Sequence, residues 1–203
     1  MKIICIGMNY RKHALELGRP VPTEPVVFLK PDSSLLKNNK PFFLPDFSTM
    51  IQYETELVVK IGKLGKGIEP EFALRYIDEI TLGIDITARD IQNRNSAAGL
   101  PWELSKGFDG SAPIGKFIPL GKIGNINELG FRLEINEKTV QEGNTSDMIF
   151  SVSEIISYVS RFFTLKTGDL IFTGTPAGVG PLRKNDNLVA YLGEEVLLDF
   201  MIK

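Results

Sequence analysis

Histidine and cysteine occur once each in these 203 residues, and each scarcity removes a class of chemistry. A lone cysteine, Cys5, closes no internal disulfide. Its place in an apolar N-terminal run marks it as a buried structural thiol rather than a nucleophile. One cysteine and one histidine are too few to ligate zinc in its usual nitrogen and sulfur sites. Charge of one sign is also lacking, since 23 Lys and Arg face 25 Asp and Glu for a net charge of -2. No cluster of Lys and Arg or basic-aromatic interleaving appears, so the chain carries no electrostatic footprint for nucleic acid. No apolar run approaches the roughly 20 residues of a membrane span, and the stretch after Met1 is too short for a signal-peptide core. A cytoplasmic protein without a membrane partner is expected.

What is present is an ordinary composition, 43% hydrophobic and 24% charged, enough to bury one substantial core. A single catalytic domain over residues 1–203 is expected, and no internal repeat interrupts it. The 19 glycines and 12 prolines separate short runs of β type, which predicts a mainly β fold with a few helices, of α+β class. Strands are expected at Lys2 to Ile6, Val26 to Lys30, Tyr53 to Ile61, Ile80 to Thr87, Phe131 to Ile135, Thr139 to Glu142, Asp169 to Thr173, Asn187 to Tyr191 and Glu195 to Ile202. Asn136 to Lys138 reads as a hairpin turn. Helices are expected at Pro70 to Tyr76 and at Ser153 to Phe163, where Ile155, Ile156, Val159, Phe162 and Phe163 recur at helical spacing behind a serine cap.

Two glutamates stand one residue apart in the apolar run Ile51 to Ile61. Alternate strand residues share a face, so Glu54 and Glu56 point the same way. On a buried strand their repulsion and lost solvation cost several kcal/mol unless a cation or proton compensates. Asp85 interrupts a second apolar run and offers a third oxygen. Three carboxylates describe a site for a hard cation, Mg2+, Mn2+ or Ca2+. The simpler alternative places both glutamates on the solvent face of an edge strand, and the apolar surroundings of Asp85 argue against it. The one histidine, His13, stands three residues before Glu16. On a short helix the two share a face, and a carboxylate beside an imidazole makes a general base; a surface histidine in a polar turn is the alternative. Residues 9–25 combine this pair with Gly18, Pro20, Pro22 and Pro25 and carry no continuous apolar stripe, so a mobile lid is expected there.

These residues occur with six motifs in order: F-L-K-P from Phe28, the E-x-E at Glu54 and Glu56, D-I-T-A-R-D from Asp85, S-K-G-F from Ser105, E-G-N-T-S-D from Glu142 and T-G-T-P from Thr173. In this the chain resembles the fumarylacetoacetate hydrolase family over nearly its whole length. It is most similar to the short branch of acylpyruvases and oxaloacetate decarboxylases. The resemblance implies a mixed β-sandwich roll or barrel and a homodimer. It implies Mg2+ or Mn2+ on Glu54, Glu56 and Asp85, with Ca2+ as a substitute. It further implies a catalytic dyad of His13 and Glu16 in the lid, an active-site lysine at Lys106, and substrate contacts at Gln92 and Thr175. Counting charge, three carboxylates and one divalent cation leave -1, so an anionic 2-keto acid needs a further cation; Lys106 is the candidate, with Arg89 behind it. The expected activity is cleavage of an acylpyruvate through a metal-stabilised pyruvate enolate, with oxaloacetate decarboxylation or tautomerisation open to the same site. Isomerisation or decarboxylation of hydroxymuconate-type diacids is one alternative, and a non-catalytic domain stabilised by metal is another. Where that branch carries arginine in a G-R-N-Y turn, this chain has Met8.

Overall fold

The structure, a computed structural model, describes all of residues 1–203. Its centre is a six-stranded sheet in the spatial order Val26–Lys30, Ile3–Gly7, Leu170–Phe172, Thr55–Ile61, Ile77–Ile84 and Ile118–Pro119. One pairing is parallel, Ile3–Gly7 with Leu170–Phe172, and the others are antiparallel. A four-stranded antiparallel sheet, in the order Lys138–Asn144, Gly130–Ile135, Asn187–Leu192 and Glu195–Met201, packs against it. Alternation decides which side chains meet. Ile4, Ile6, Leu57, Val59 and Ile61 face a core of 35 residues shared with Leu133, Leu188, Leu198 and Phe200. Ile3, Cys5, Val58, Leu170 and Phe172 form a second cluster on the opposite face. The central strands are therefore apolar on both faces, which is why they read as continuous hydrophobic runs.

Four α-helices lie around the sheets: α1 at Arg11–Glu16, α2 at Arg89–Ala97, α3 at Glu103–Lys106 and α4 at Val152–Phe162. The expected serine cap of α4 is Ser151, whose hydroxyl accepts from the backbone of Glu154 while the Glu154 carboxylate reaches back, a reciprocal capping box. Pro70–Tyr76 winds as a 3-10 helix rather than an α-helix. The hairpin turn is the pair Asn136 and Glu137, both at positive φ, as a two-residue type I′ connection requires. Two further helices, α2 and α3, are absent from the sequence expectation; in α2, R-D-I-Q-N-R-N-S-A offers only Ile91 and Ala97 as apolar side chains and hence no stripe. No helix is long and apolar enough to cross a membrane.

Two corrections place the site. The run Ile51 to Ile61 is not one strand but two, Ile51–Tyr53 and Thr55–Ile61, broken at Glu54. The run Ile80 to Thr87 likewise divides into Ile77–Ile84 and Thr87–Ala88, broken at Asp85 and Ile86. In both cases the first and second pieces belong to different sheets, since Ile51–Tyr53 pairs with Thr87–Ala88 and with Gly180–Pro181. Where the chain leaves one sheet for the other it gives up ladder geometry, and the Asp85 amide donates to the Glu54 carbonyl at 2.8 Å to hold the two bends together. The acidic residues occupy these bends.

Candidate active site and metal centre

Oxygen atoms of Glu54, Glu56 and Asp85 all lie within 4.8 Å of one another, and the three residues are 5%, 2% and 1% exposed. Lys106 and Arg89, the cations that the charge count called for, both reach the cluster, and Lys30 joins them from a distant part of the chain. Lys106, at the end of α3, places Nζ 2.8 Å from Glu54 Oε2, 2.6 Å from Asp85 Oδ2 and 2.7 Å from the Thr87 hydroxyl. Arg89, which begins α2, donates to Glu54 Oε1, to Gln92 Oε1 and, through Nε at 2.7 Å, to Gln52 Oε1. Lys30 ends the edge strand with Nζ 2.8 Å from Asp85 Oδ1. Its ammonium hydrogens go to the Ser111 carbonyl and hydroxyl, each at 3.0 Å, and to the Lys106 carbonyl. Three carboxylates against three cations make the cluster formally neutral rather than anionic.

That neutrality is unevenly distributed. Burial alone would raise the Glu54 pKa, but Lys106 and Arg89 outweigh it and hold the carboxyl well below the usual carboxylate range. Burial likewise disfavours charge on Lys106, and Asp85 and Glu54 reverse it, so that its pKa lies above the ordinary lysine value. Glu56 has no cation within ion-pair distance. Its one hydrogen bond is from the Gly174 amide at 2.7 Å to Oε2. Burial first, then Asp85 and Glu54, push its pKa well above the ordinary value. Asp85 Oδ1 has no aligned hydrogen-bond donor despite the nearby ammonium, whose hydrogens point elsewhere. An uncompensated carboxylate beside an unsatisfied carboxylate oxygen, all hard donors, fits a divalent cation such as Mg2+ or Mn2+. Gly174 is required where it stands: at φ +100° an added Cβ would come within 2.6 Å of Asn9 Cβ.

The side chains of His13 and Glu16 meet. On α1 the His13 ring places Nδ1 2.9 Å from Glu16 Oε2, and Glu16 Oε1 accepts from the Gly178 amide at 3.0 Å. With Nδ1–H donated to Glu16, Nε2 of the neutral ring is left as the basic nitrogen. Residues 9–25 are less uniform than expected. Asn9, Tyr10, His13 and Ala14 are buried, and Asn9 is fastened by its side chain to the Phe150 and Thr173 carbonyls and the Phe150 amide. The apolar stripe missing from the sequence is replaced by these polar ties, and only the part after Ala14 runs largely at the surface.

His13, Arg19, Glu54, Arg89, Gln92 and Lys106 line one cavity of about 70 Å3, walled by Phe28 and Trp102. Thr175 does not line it. Its hydroxyl donates to the Thr55 carbonyl at 2.9 Å and accepts from Gln141 Nε2 at 2.8 Å, so it braces the bend beside Glu54. Gln141, which also accepts from the Thr55 amide at 3.0 Å, went unrecognised in the sequence, as did Lys30. The only signal for Lys30 was a lysine ending an apolar strand inside the F-L-K-P motif, where a solvated side chain is the usual outcome.

Residues 2–199 match the family model described as fumarylacetoacetate (FAA) hydrolase C-terminal. The chain is 42% identical over 201 residues to the mitochondrial oxaloacetate tautomerase FAHD1 of Mus musculus, covering 99% of this chain and 91% of that protein. To the mitochondrial oxaloacetate decarboxylase of Dictyostelium discoideum it is 45% identical over 183 residues, with coverage of 90% and 84%. Its fold matches the crystal structure of fumarylpyruvate hydrolase from Pseudomonas aeruginosa in complex with Mn2+ and pyruvate, with a TM-score of 0.94 and 35% identity, over 100% of this chain and 89% of that one.

Proposed function

Since the chain belongs to the fumarylacetoacetate hydrolase family and is an enzyme of it, we propose that it is a divalent-metal-dependent enzyme of small 2-keto acids. The reading is enolisation of a compact keto acid such as oxaloacetate, with decarboxylation or C–C cleavage as outcomes at the same site. The observation that carries it is the buried carboxylate triad with Glu56 left uncompensated, whose Glu54 lines the same cavity as His13, the partner of Glu16. Glu54, Glu56 and Asp85 would hold Mg2+ or Mn2+, which supplies the positive charge that stabilises an enolate as it forms.

The remaining roles belong to the chain's own groups. His13 Nε2 takes a proton from the carbon beside the keto group, or from a water when a distal carbonyl is to be attacked. Glu16 keeps the opposite nitrogen protonated and stabilises the imidazolium that results, and Gly178 fixes Glu16 in turn. Lys106 and Arg89 hold Glu54 ionised, and Lys30 and Lys106 form ion pairs with Asp85. Gln92 spends its carbonyl on Arg89, so its amide hydrogens remain for the substrate. Hydrolysis of a short acylpyruvate is the second reading, favoured by the likeness to a fumarylpyruvate hydrolase structure. A steady-state panel of oxaloacetate, acetylpyruvate and a hydroxymuconate analogue, each with Mg2+ and with Mn2+, tests it. Turnover of oxaloacetate supports the first reading. Turnover of none of the three would refute both.

A further inference from the structure

Among the cations around the cavity, Arg19 is the one with nothing to bind. Lys106 has committed its three ammonium hydrogens to Glu54, Asp85 and Thr87, and Arg89 is tied through all three of its nitrogens to Glu54, Gln52 and Gln92. The Arg19 side chain makes no ion pair and donates no hydrogen bond within the chain. It is half-buried and lies over the Trp102 ring, 5.8 Å from its centroid, a contact that leaves the edge of a guanidinium free. Trp102 is itself a fixed platform: its indole N–H donates to the Ser96 hydroxyl at 3.1 Å, and its ring packs at a steep angle to Phe28, 5.7 Å between centroids.

The backbone explains why an arginine there is aimed rather than loose. Helix α1 ends with Gly18 at φ +64°, and the amides of Gly18 and Arg19 turn back to the carbonyls of Leu15 and Ala14, each at 2.9 Å. This paired closure is the Schellman geometry. It makes Arg19 the last residue of the same rigid unit that carries His13 and Glu16. A group that engages Arg19 therefore also fixes the base.

Charge points to what that group is. The three carboxylates and Lys30, Arg89 and Lys106 cancel, and Glu16 cancels Arg19, so a divalent cation in the cluster brings the whole site to +2. A dianion neutralises it and a monoanion does not. We propose that Arg19 binds the second carboxylate of a dicarboxylic 2-keto acid and is the residue by which this enzyme prefers dianionic over monoanionic substrates. This rests on the keto-acid reading above for the metal-chelating end and adds the residue that reads the far end.

The test uses stable 2-hydroxy acids that chelate through carboxylate and hydroxyl. Malate carries the second carboxylate and 2-hydroxybutanoate replaces it with a methyl group. Their affinities for the Mn2+-loaded protein are measured calorimetrically in wild type, Arg19→Gln and Arg19→Lys. A charge-assisted bidentate contact supports a preference of about tenfold to a hundredfold. Wild type should prefer malate by that factor, Arg19→Gln should lose the preference, and Arg19→Lys should recover part of it. Loss of affinity for both acids in equal proportion would mean that Arg19 only packs on Trp102 and would overturn the proposal, as would an unchanged preference in Arg19→Gln. The binding ratio is independent of turnover. A preference that tracks Arg19 in a protein that turns over no keto acid would sustain this assignment while refuting the proposed reaction.

Discussion

Lys30 and Lys60 offer a controlled comparison of what burial does to an ion pair. Lys30 Nζ stands 2.8 Å from Asp85 with side chains 0% and 1% exposed, and Lys60 Nζ stands 2.6 Å from Glu79 with side chains 30% and 26% exposed. Distance alone ranks the second pair as the stronger. Replacing Lys30 by methionine keeps the stem, leaves Asp85 with only Lys106, which it shares with Glu54, and strands the Ser111 and Lys106 carbonyls to which the ammonium donates. Breaking a buried pair in this way costs about 3 to 5 kcal/mol, because three buried carboxylates are then left against two cations. For a chain of this size about 1 kcal/mol lowers Tm by roughly 2 to 4 °C, so a fall of roughly 6 to 20 °C is expected. Lys60→Met loses a solvent-screened pair and some packing on Phe117, and should cost about 1 kcal/mol or less. Thermal and chemical unfolding of both variants, in metal-free buffer, makes the comparison. Equal losses would refute the view that Lys30 compensates a buried charge.

The His13→Ala change should lower hydrolysis of an acylpyruvate by about 10² to 10⁴, and decarboxylation of oxaloacetate less, since loss of carbon dioxide needs no activated water; equal losses in parallel rate assays would reduce His13 to a positioning role. Because burial, Asp85 and Glu54 raise the Glu56 pKa, the protonated form persists above the ordinary carboxylate range, and a metal must displace that proton. Metal affinity should therefore fall as pH drops, with proton release on binding; calorimetry in buffers of different ionisation enthalpy reads both, and Glu56→Gln should abolish them. Gly174→Ala should weaken metal binding by forcing Asn9 and the Glu56 donor apart, seen as a weaker metal-induced rise in Tm than wild type shows. Residues 9–25 should act as a lid beyond the helix closure: oxalate should slow amide exchange from Val21 to Glu24 more than across Asn9 to Arg19, where the tethers already exist. Equal exchange with and without oxalate would remove gating.

The acidic triad was legible in the sequence because a charge inside an apolar run has few harmless explanations, and Glu54, Glu56 and Asp85 do come together. His13 and Glu16 were legible through helical spacing, although α1 has no apolar stripe. Strand positions followed from alternation and punctuation. The breaks at Glu54 and Asp85 did not, because changing sheets leaves the hydrophobic pattern continuous while only the hydrogen-bond partners change. Lys30 was hidden for a different reason. It stands 55 residues from Asp85 in sequence and reaches it only through tertiary folding, and a lysine in isolation reads as solvated. Helix α2 was illegible because it is held by Asp90, which accepts from the Ser48 hydroxyl and the Thr49 amide, rather than by an apolar face.

The central claim is that Glu54, Glu56 and Asp85 hold a divalent cation on which keto-acid turnover depends. The most direct measurement is oxaloacetate turnover by protein stripped with EDTA and then titrated with Mn2+, corrected for the rate with free metal alone. No turnover in the stripped protein, and recovery complete at one Mn2+ per chain, is the predicted result. Full turnover in the stripped protein, unchanged by added Mn2+, would contradict it.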